Sequence, residues 1–352
     1  MIMNVLRFLM VPIFLFLTFS GTAQDVNFSQ FYNNGIYYNP AMTAIGNGYT
    51  YTVNARNQWT PIPGKFNSFI AAFEGKVIES MGFSVLGFSD AAGDGMLRTQ
   101  AGYLSYSYRP VETKKFILQF GASGGLVNKS IDWSRLVFSD QLDEVYGKVN
   151  ATQFISPNFR NILYPDFNAG VAIRFNHRNK INKGFKRAAH TAGFAIHHLN
   201  KPKDAFLLDK NYLPMKLVVH YNSNILVNKL IISPGFIYEL QNEFQTVTLG
   251  MYFAKKPVTL GLWFRNRTFA FSSKSYDAFI VSIGLNLPLQ NERYLKLTYS
   301  IDFTISKLRT SSFGTNELSL IYNLDNRYIL KKSQAKQSKK AMYQCPTDFK
   351  GF

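Results

Sequence analysis

The chain has 352 residues, enough for two ordinary domains or one large β-structure. Aromatic residues are abundant (32 Phe, 20 Tyr), as strands and membrane interfaces both favour, and one cysteine, Cys345, excludes an intrachain disulfide. The formal charge of +18 suggests nucleic acid at first sight, but a secretory leader argues against that partner and for anionic head groups, cell-wall polymers or an acidic protein.

Met1 to Ala23 reads as a signal peptide. Arg7 supplies the positive region, Phe8 to Phe19 a short apolar run, and Gly21-Thr22-Ala23 the small residues before Gln24. A membrane anchor is the rival, but the run is short for a span and a cleavage site follows it. No later stretch approaches about 18 consecutive apolar residues, so no transmembrane helix is expected. The next segment, 24–47, holds Phe28, Phe31, Tyr32, Tyr37 and Tyr38, more aromatics than a free leader carries. It is expected to pack in a lumen or across its periplasmic mouth, with partner docking as the rival.

From residue 48 to 325 the chain alternates. In 294–303, Leu295, Leu297, Tyr299, Ile301 and Phe303 share one face and Lys296, Thr298, Ser300 and Asp302 the other. In 49–59, Tyr51, Val53, Ala55 and Trp59 oppose Thr52, Asn54, Arg56 and Gln58. About 14 such strands are expected: 49–59, 67–76, 80–88, 97–109, 115–126, 165–175, 189–199, 215–223, 229–240, 244–253, 258–266, 278–287, 293–303 and 316–324. The runs 80–88, 97–109 and 229–240 alternate less cleanly. Ten tilted residues cover an apolar band of about 25 Å. The expected fold is all-β, a transmembrane antiparallel β-barrel. The mean hydropathy of −0.09 is compatible with it, because a polar lumen face cancels a lipid face. A soluble sandwich or propeller also alternates but rarely has so many long strands without blade motifs.

Connection lengths test the barrel separately. Bacterial barrels keep short turns inside and longer loops outside. The long connections 127–164, 200–214, 267–277 and 304–315 follow the fifth, seventh, eleventh and thirteenth strands, as that parity requires. The turn 176–188 is a long, basic exception. The tail, 326–352, carries Lys331, Lys332, Lys336, Lys339, Lys340 and Lys350. Parity places it in the periplasm, as a contact for other machinery or as a solvated tail.

Four elements occur in order near the start: Gln24-Asp25, then Phe28-Ser29-Gln30-Phe31-Tyr32, then Tyr38-Asn39-Pro40-Ala41, then Arg56-Asn57-Gln58-Trp59. With the signal peptide and the all-β pattern, they resemble the PorP/SprF family of Bacteroidetes outer-membrane proteins. Members often end in a short Cys-Pro segment; here Cys345-Pro346 is followed by six further residues. The resemblance implies a part in type IX secretion and gliding motility, with export or surface retention of a protein bearing a C-terminal sorting domain. It also implies contacts with membrane lipid and with periplasmic secretion components. On the residues alone, Asn39-Pro40 forces an extended entry to a turn, and Arg56 is expected to face inward toward a lumen acid or carbonyls.

Catalytic chemistry is absent from the pattern. The five histidines have no zinc spacing, and there is no phosphate-cradling loop or nucleophile elbow. His197 and His198 are expected on opposite strand faces. Asp90, Asp94, Asp140, Asp143 and Glu144 are loop acids whose spacing fits no calcium loop. No cofactor or metal is expected. A hidden Ser–His hydrolase, a porin or small-ligand channel, and a soluble polymer-binding β-protein are the alternative functions.

Overall fold

The computed structural model describes residues 25–324, apart from 47, 60–63, 79, 94–95, 114, 144, 156–160, 178–184, 207–210, 228–229, 272–274, 290–292 and 307–313. Fourteen strands form a closed antiparallel barrel. They are β1 Tyr49–Gln58, β2 Phe66–Ile78, β3 Met81–Ala92, β4 Leu97–Glu112, β5 Phe116–Ile131, β6 Asn161–His177 and β7 Phe185–His197. Then come β8 Lys216–Val227, β9 Leu230–Gln241, β10 Phe244–Lys255, β11 Val258–Asn266, β12 Tyr276–Pro288, β13 Tyr294–Thr304 and β14 Thr315–Leu324. Each pairs with its sequence neighbour, and β1 closes on β14 in a ten-residue ladder from Tyr49↔Leu324 to Gln58↔Thr315. Closure leaves no unpaired strand edge, which a hydrocarbon environment requires.

The alternation determines which face meets what. On β13, Thr298, Ser300 and Asp302 are buried while Leu297, Tyr299 and Phe303 are exposed. On β1, Asn54 and Arg56 are buried while Tyr51 and Val53 are exposed. Polar inside and apolar outside inverts the order of a water-soluble core and excludes a sandwich. No helix among the described residues is long and apolar enough to cross a membrane.

The expected strands are all present, but several are longer than the alternation indicated, and three stand out in length. β4, β5 and β6 have 16, 16 and 17 residues. Their mutual ladders continue beyond the apolar band, pairing Leu97 with Ile131 and Asn161 with Ser130. The long connection therefore narrows to 132–160, and it carries a small ribbon pairing Leu142–Asp143 with Gly147–Lys148. The basic connection likewise shortens, since β6 runs to His177 and β7 starts at Phe185. The rim where odd-numbered strands end bears the long connections; the opposite rim bears turns such as 256–257.

Candidate functional site in the barrel lumen

The segment 25–46 lies inside the barrel, against the polar faces of the strands. It begins near the loop-rich rim and ends at the short-turn rim, where β1 starts. Asp25 N–H donates to Gln241 at the end of β9 (3.1 Å), and Asn27 Nδ2 donates to Glu239 (2.7 Å). At the other end Ala44 N–H donates to Glu74, late in β2 (2.7 Å), and the Ala44 carbonyl accepts from Arg109, late in β4.

Ser29 and Gln30 hold the middle of the segment to the barrel seam. Arg56 on β1 and Glu317 on β14 are direct ladder partners. Their side chains meet at 3.1 Å with almost no exposure. Glu317 also accepts from Ser29 N–H (2.7 Å), Gln30 N–H (3.1 Å) and Asn54 Nδ2 (2.8 Å). Ser29 Oγ donates to Asp302 (2.6 Å) and accepts from Arg56 (2.6 Å) and Arg265 (3.3 Å). Arg265 in turn bonds Asp302 (2.7 Å) and Asp277 (2.8 Å). A buried carboxylate costs a great deal unless paired and fully hydrogen-bonded; here the leader's own backbone N–H groups complete the shell. Gln30 Nε2 donates to Ser300 Oγ (3.0 Å) and the Glu317 carbonyl (3.0 Å), and its Oε1 accepts from Asn33 and Ser319.

Asn39-Pro40-Ala41 forms a 3-10 turn, Pro40–Met42, entered through an extended Asn39 (φ −154°). Proline suits the first position of such a turn because its missing N–H would be unsatisfied there anyway. Asn39 Oδ1 accepts from Ala41 N–H (2.8 Å), and its Nδ2 reaches the Val171 carbonyl (3.1 Å) and His220 (3.0 Å). The turn comes so close to the wall that side chains there are excluded. A Cβ at Gly121 would strike the backbone of Pro40 and Ala41, and one at Gly170 would strike the Asn39 amide. Two inward glycines farther round, Gly250 and Gly261, make room for the Trp263 indole. Tyr32 stacks on that ring (5.3 Å, 18°) and Phe31 meets it edge-on (5.0 Å). Lys296 lies over the Tyr32 and Tyr252 rings and donates to Asn33 (2.8 Å).

At the loop-rich end, Asp25 is clamped by His198, which follows β7. The His198 nitrogens bond Asp25 (2.8 Å) and Asp166 (2.9 Å). Burial opposes the charge on His198, but the two carboxylates outweigh it and raise its pKa to about 10. Burial likewise opposes the charge on Asp25; His198 and Lys216 outweigh it and hold its carboxyl well below the usual range. His197 and His198 do not point to opposite faces, contrary to strand periodicity. His198 has a positive φ of 58°, which ends the strand and turns its ring inward, while His197 bonds the Tyr38 carbonyl (2.9 Å).

The sequence motif residues thus divide. Phe28, Ser29, Gln30, Asn39, Pro40, Ala41 and Arg56 are all buried in the lumen. Asn57 instead bonds Asn67 of β2 outside (2.7 Å), Gln58 ends β1, and Trp59 leaves the strand with φ 59° and packs edge-on to Phe66. Sequence reasoning did not single out Glu317, Asp302, Arg265 or His198. The first two were visible as acids on strand faces made mostly of Ser, Thr and Asn. The signal peptide, Cys345 and the tail lysines Lys331, Lys332, Lys336, Lys339 and Lys340 lie outside the described residues. Of the loop acids, Asp140 accepts from Gln153 N–H (2.6 Å) and Thr152, and Asp143 from Val145 N–H (2.8 Å) and Tyr146 N–H. No cluster of three metal-ligating side chains occurs among the described residues.

A family model described as type IX secretion system membrane protein PorP/SprF matches residues 20–322. Among curated proteins none matches the chain. Solved structures similar to it include a monoaromatic hydrocarbon channel, the TodX deltaS2S3 mutant (TM-score 0.45, 10% identity, 82% of this chain and 92% of that one). A Pseudomonas aeruginosa FadL homologue gives TM-score 0.43 and 10% identity over 83% and 94% of the two chains. CdiB from Acinetobacter baumannii gives TM-score 0.38 and 7% identity over 79% of this chain; the match spans 60% of CdiB.

Proposed function

Because the chain belongs to the PorP/SprF family of type IX secretion system membrane proteins, we propose that it is a non-enzymatic outer-membrane accessory that helps export, or holds at the cell surface, a protein bearing a C-terminal sorting domain. The observation that carries this reading is the filled lumen. A barrel whose interior is packed with its own leader is a rigid platform, so its working surfaces are its rims. On the loop-rich rim the connection 132–160 presents Val145, Tyr146 and Ile155 almost fully exposed, and the connection after β11 presents Phe269. Exposed apolar side chains grouped on loops suit protein contact. We assign the client, an adhesin of the gliding apparatus among the candidates, to this outward rim. The basic tail with Lys331, Lys332, Lys336, Lys339 and Lys340, and the basic connection 178–184, are assigned to periplasmic secretion components. Membrane lipid surrounds the barrel wall, and no nucleic acid takes part.

Crosslinked purification from native outer membranes, read by mass spectrometry, tests the reading. Recovery of a sorting-domain protein or of type IX components is the expected result; a barrel recovered without either refutes it. Deleting 331–352 should impair client display while the barrel still inserts, and unchanged display would remove the tail from the account. The rival, a small-ligand channel, requires conductance in planar bilayers.

A further inference from the structure

Above the packed leader, toward the loop-rich rim, a cavity of about 110 Å³ remains. One water needs about 10–15 Å³ counted the same way, so the space takes a group of several heavy atoms. Its floor is the leader itself, at Asp25 and Tyr37, and the connection after β7 roofs it at Asp204 and Leu213. Asp90, Thr99 and Lys129 in its wall are only half-buried and mark the side on which it opens, at the outward ends of β3 to β5.

The lining has an excess of negative charge that is not internally compensated. Asp25, Asp90, Asp166 and Asp204 face the cavity. Lys129 is held by Asp204 (2.6 Å), and Lys216 by Glu239 (2.7 Å). His198 is shared between Asp25 and Asp166. Asp90 accepts from the Ser68 hydroxyl (2.6 Å) and has no ion pair within 4 Å among the described residues. One further acceptor, Asp204 Oδ1, lacks a hydrogen bond among the described residues and sits on a residue more than nine-tenths buried. Phe88, Tyr103 and Tyr37 contribute aromatic rings to the rest of the wall, beside Ile36, Leu86 and Val127. Aromatic rings, alkyl walls and an unpaired carboxylate oxygen around a net negative charge suit a cation with several N–H groups and an alkyl stem.

We propose that this cavity is a binding site for an alkyl guanidinium or alkyl ammonium group, with Asp90 as its principal counter-charge. The group arrives either on a free small amine or as an arginine or lysine side chain of a polypeptide seated on the loop-rich rim. This assignment stands apart from the identity of any secretion client.

The test is calorimetric titration of the full detergent-solubilised chain with N-acetyl-arginine amide, with cadaverine, and with the uncharged isostere N-acetyl-citrulline amide. Either cation should bind at least tenfold more tightly than the citrulline compound. Preference for the arginine compound points to a side chain as the natural ligand, and preference for cadaverine to a free amine. Asp90→Asn should weaken cation binding at least tenfold. Ala101→Trp, which fills the cavity and leaves every charge in place, should abolish it. Both variants must still migrate as folded barrels before heating. Equal affinity for the citrulline compound, no binding of either cation, or wild-type affinity in both variants overturns the proposal.

Discussion

Replacing Arg56 by alanine should release the leader while sparing the barrel. The guanidinium lies 3.1 Å from Glu317 and 3.5 Å from Asp302, all three buried. Removing one partner of a buried pair costs about 3–5 kcal/mol, because the other charge is left uncompensated. The lower end applies here. Glu317 keeps three N–H donors, from Asn54, Ser29 and Gln30, and Asp302 keeps Arg265. About 3 kcal/mol corresponds to roughly a hundredfold larger undocked population. The fourteen ladders do not depend on that pair, so the loss should fall on the leader. Residues 25–46 contain no Lys or Arg, yet they offer Phe28, Phe31, Tyr32, Tyr37 and Tyr38 to chymotrypsin. Cleavage there should accelerate roughly a hundredfold in the variant, since slow proteolysis tracks the open population. Tryptic digestion of the barrel should stay unchanged, and Arg56→Lys should fall between, because lysine offers one charge without the fork. Leader cleavage at the wild-type rate in a folded Arg56→Ala barrel would refute the reasoning. So would collapse of the barrel itself.

Gly121→Val should undock the Asn39-Pro40-Ala41 turn, because the new side chain meets backbone that cannot swing aside; the same chymotrypsin assay reads it. The intact barrel should be silent in planar bilayers, and deletion of 25–44 should produce stepwise conductance; wild-type currents of equal size would show that the leader does not occlude the pore. The clamp at Asp25 should depend on pH. His198 is raised to about 10, so its contribution is complete below its ordinary value near 6.5 and is lost as pH climbs through about 10. Asp25 is lowered, so its contribution is complete above the ordinary carboxylate range and is lost only in strong acid. A fluorophore on Val26→Cys, in a Cys345→Ser background, should therefore be most immobile between about pH 4 and 6.5 and gain mobility above about pH 10. His198→Gln should flatten the alkaline limb.

Much of this barrel was legible because lipid imposes a two-residue period that few other environments sustain. The run from Leu295 to Phe303 reads unambiguously, and β13 occupies Tyr294–Thr304. The signal failed at the outer ends of β5 and β6, around Lys129 and Leu163, where the strands are paired but Val127-Asn128-Lys129-Ser130 does not alternate cleanly in sequence. Leader docking was half legible. Five aromatics in a short polar stretch implied burial, and Arg56 on a lumen face implied an acid. That acid could not be chosen, because Glu317 is 261 residues away in sequence and becomes its neighbour only when β14 closes on β1. His198 was misplaced for a local reason: one left-handed residue cancels the parity on which facing arguments rest.

The seam has a consequence for biogenesis. Arg56 sits on the first strand to be made and Glu317 on the last, and both grip Ser29, which precedes them on the chain. Ser29 Oγ, Asp302 and Arg265 add a second knot beside that joint. A leader threaded through a finished cylinder would have to pass its aromatic rings through the packed interior, whereas a sheet still open at β1 and β14 admits it sideways. Insertion of the leader and closing of the hoop are then one step, and the leader supplies the N–H groups that let a buried carboxylate cross the membrane at the joint. A chain whose leader is damaged should close more slowly, lingering as an open sheet vulnerable to periplasmic proteases before the emptied barrel forms.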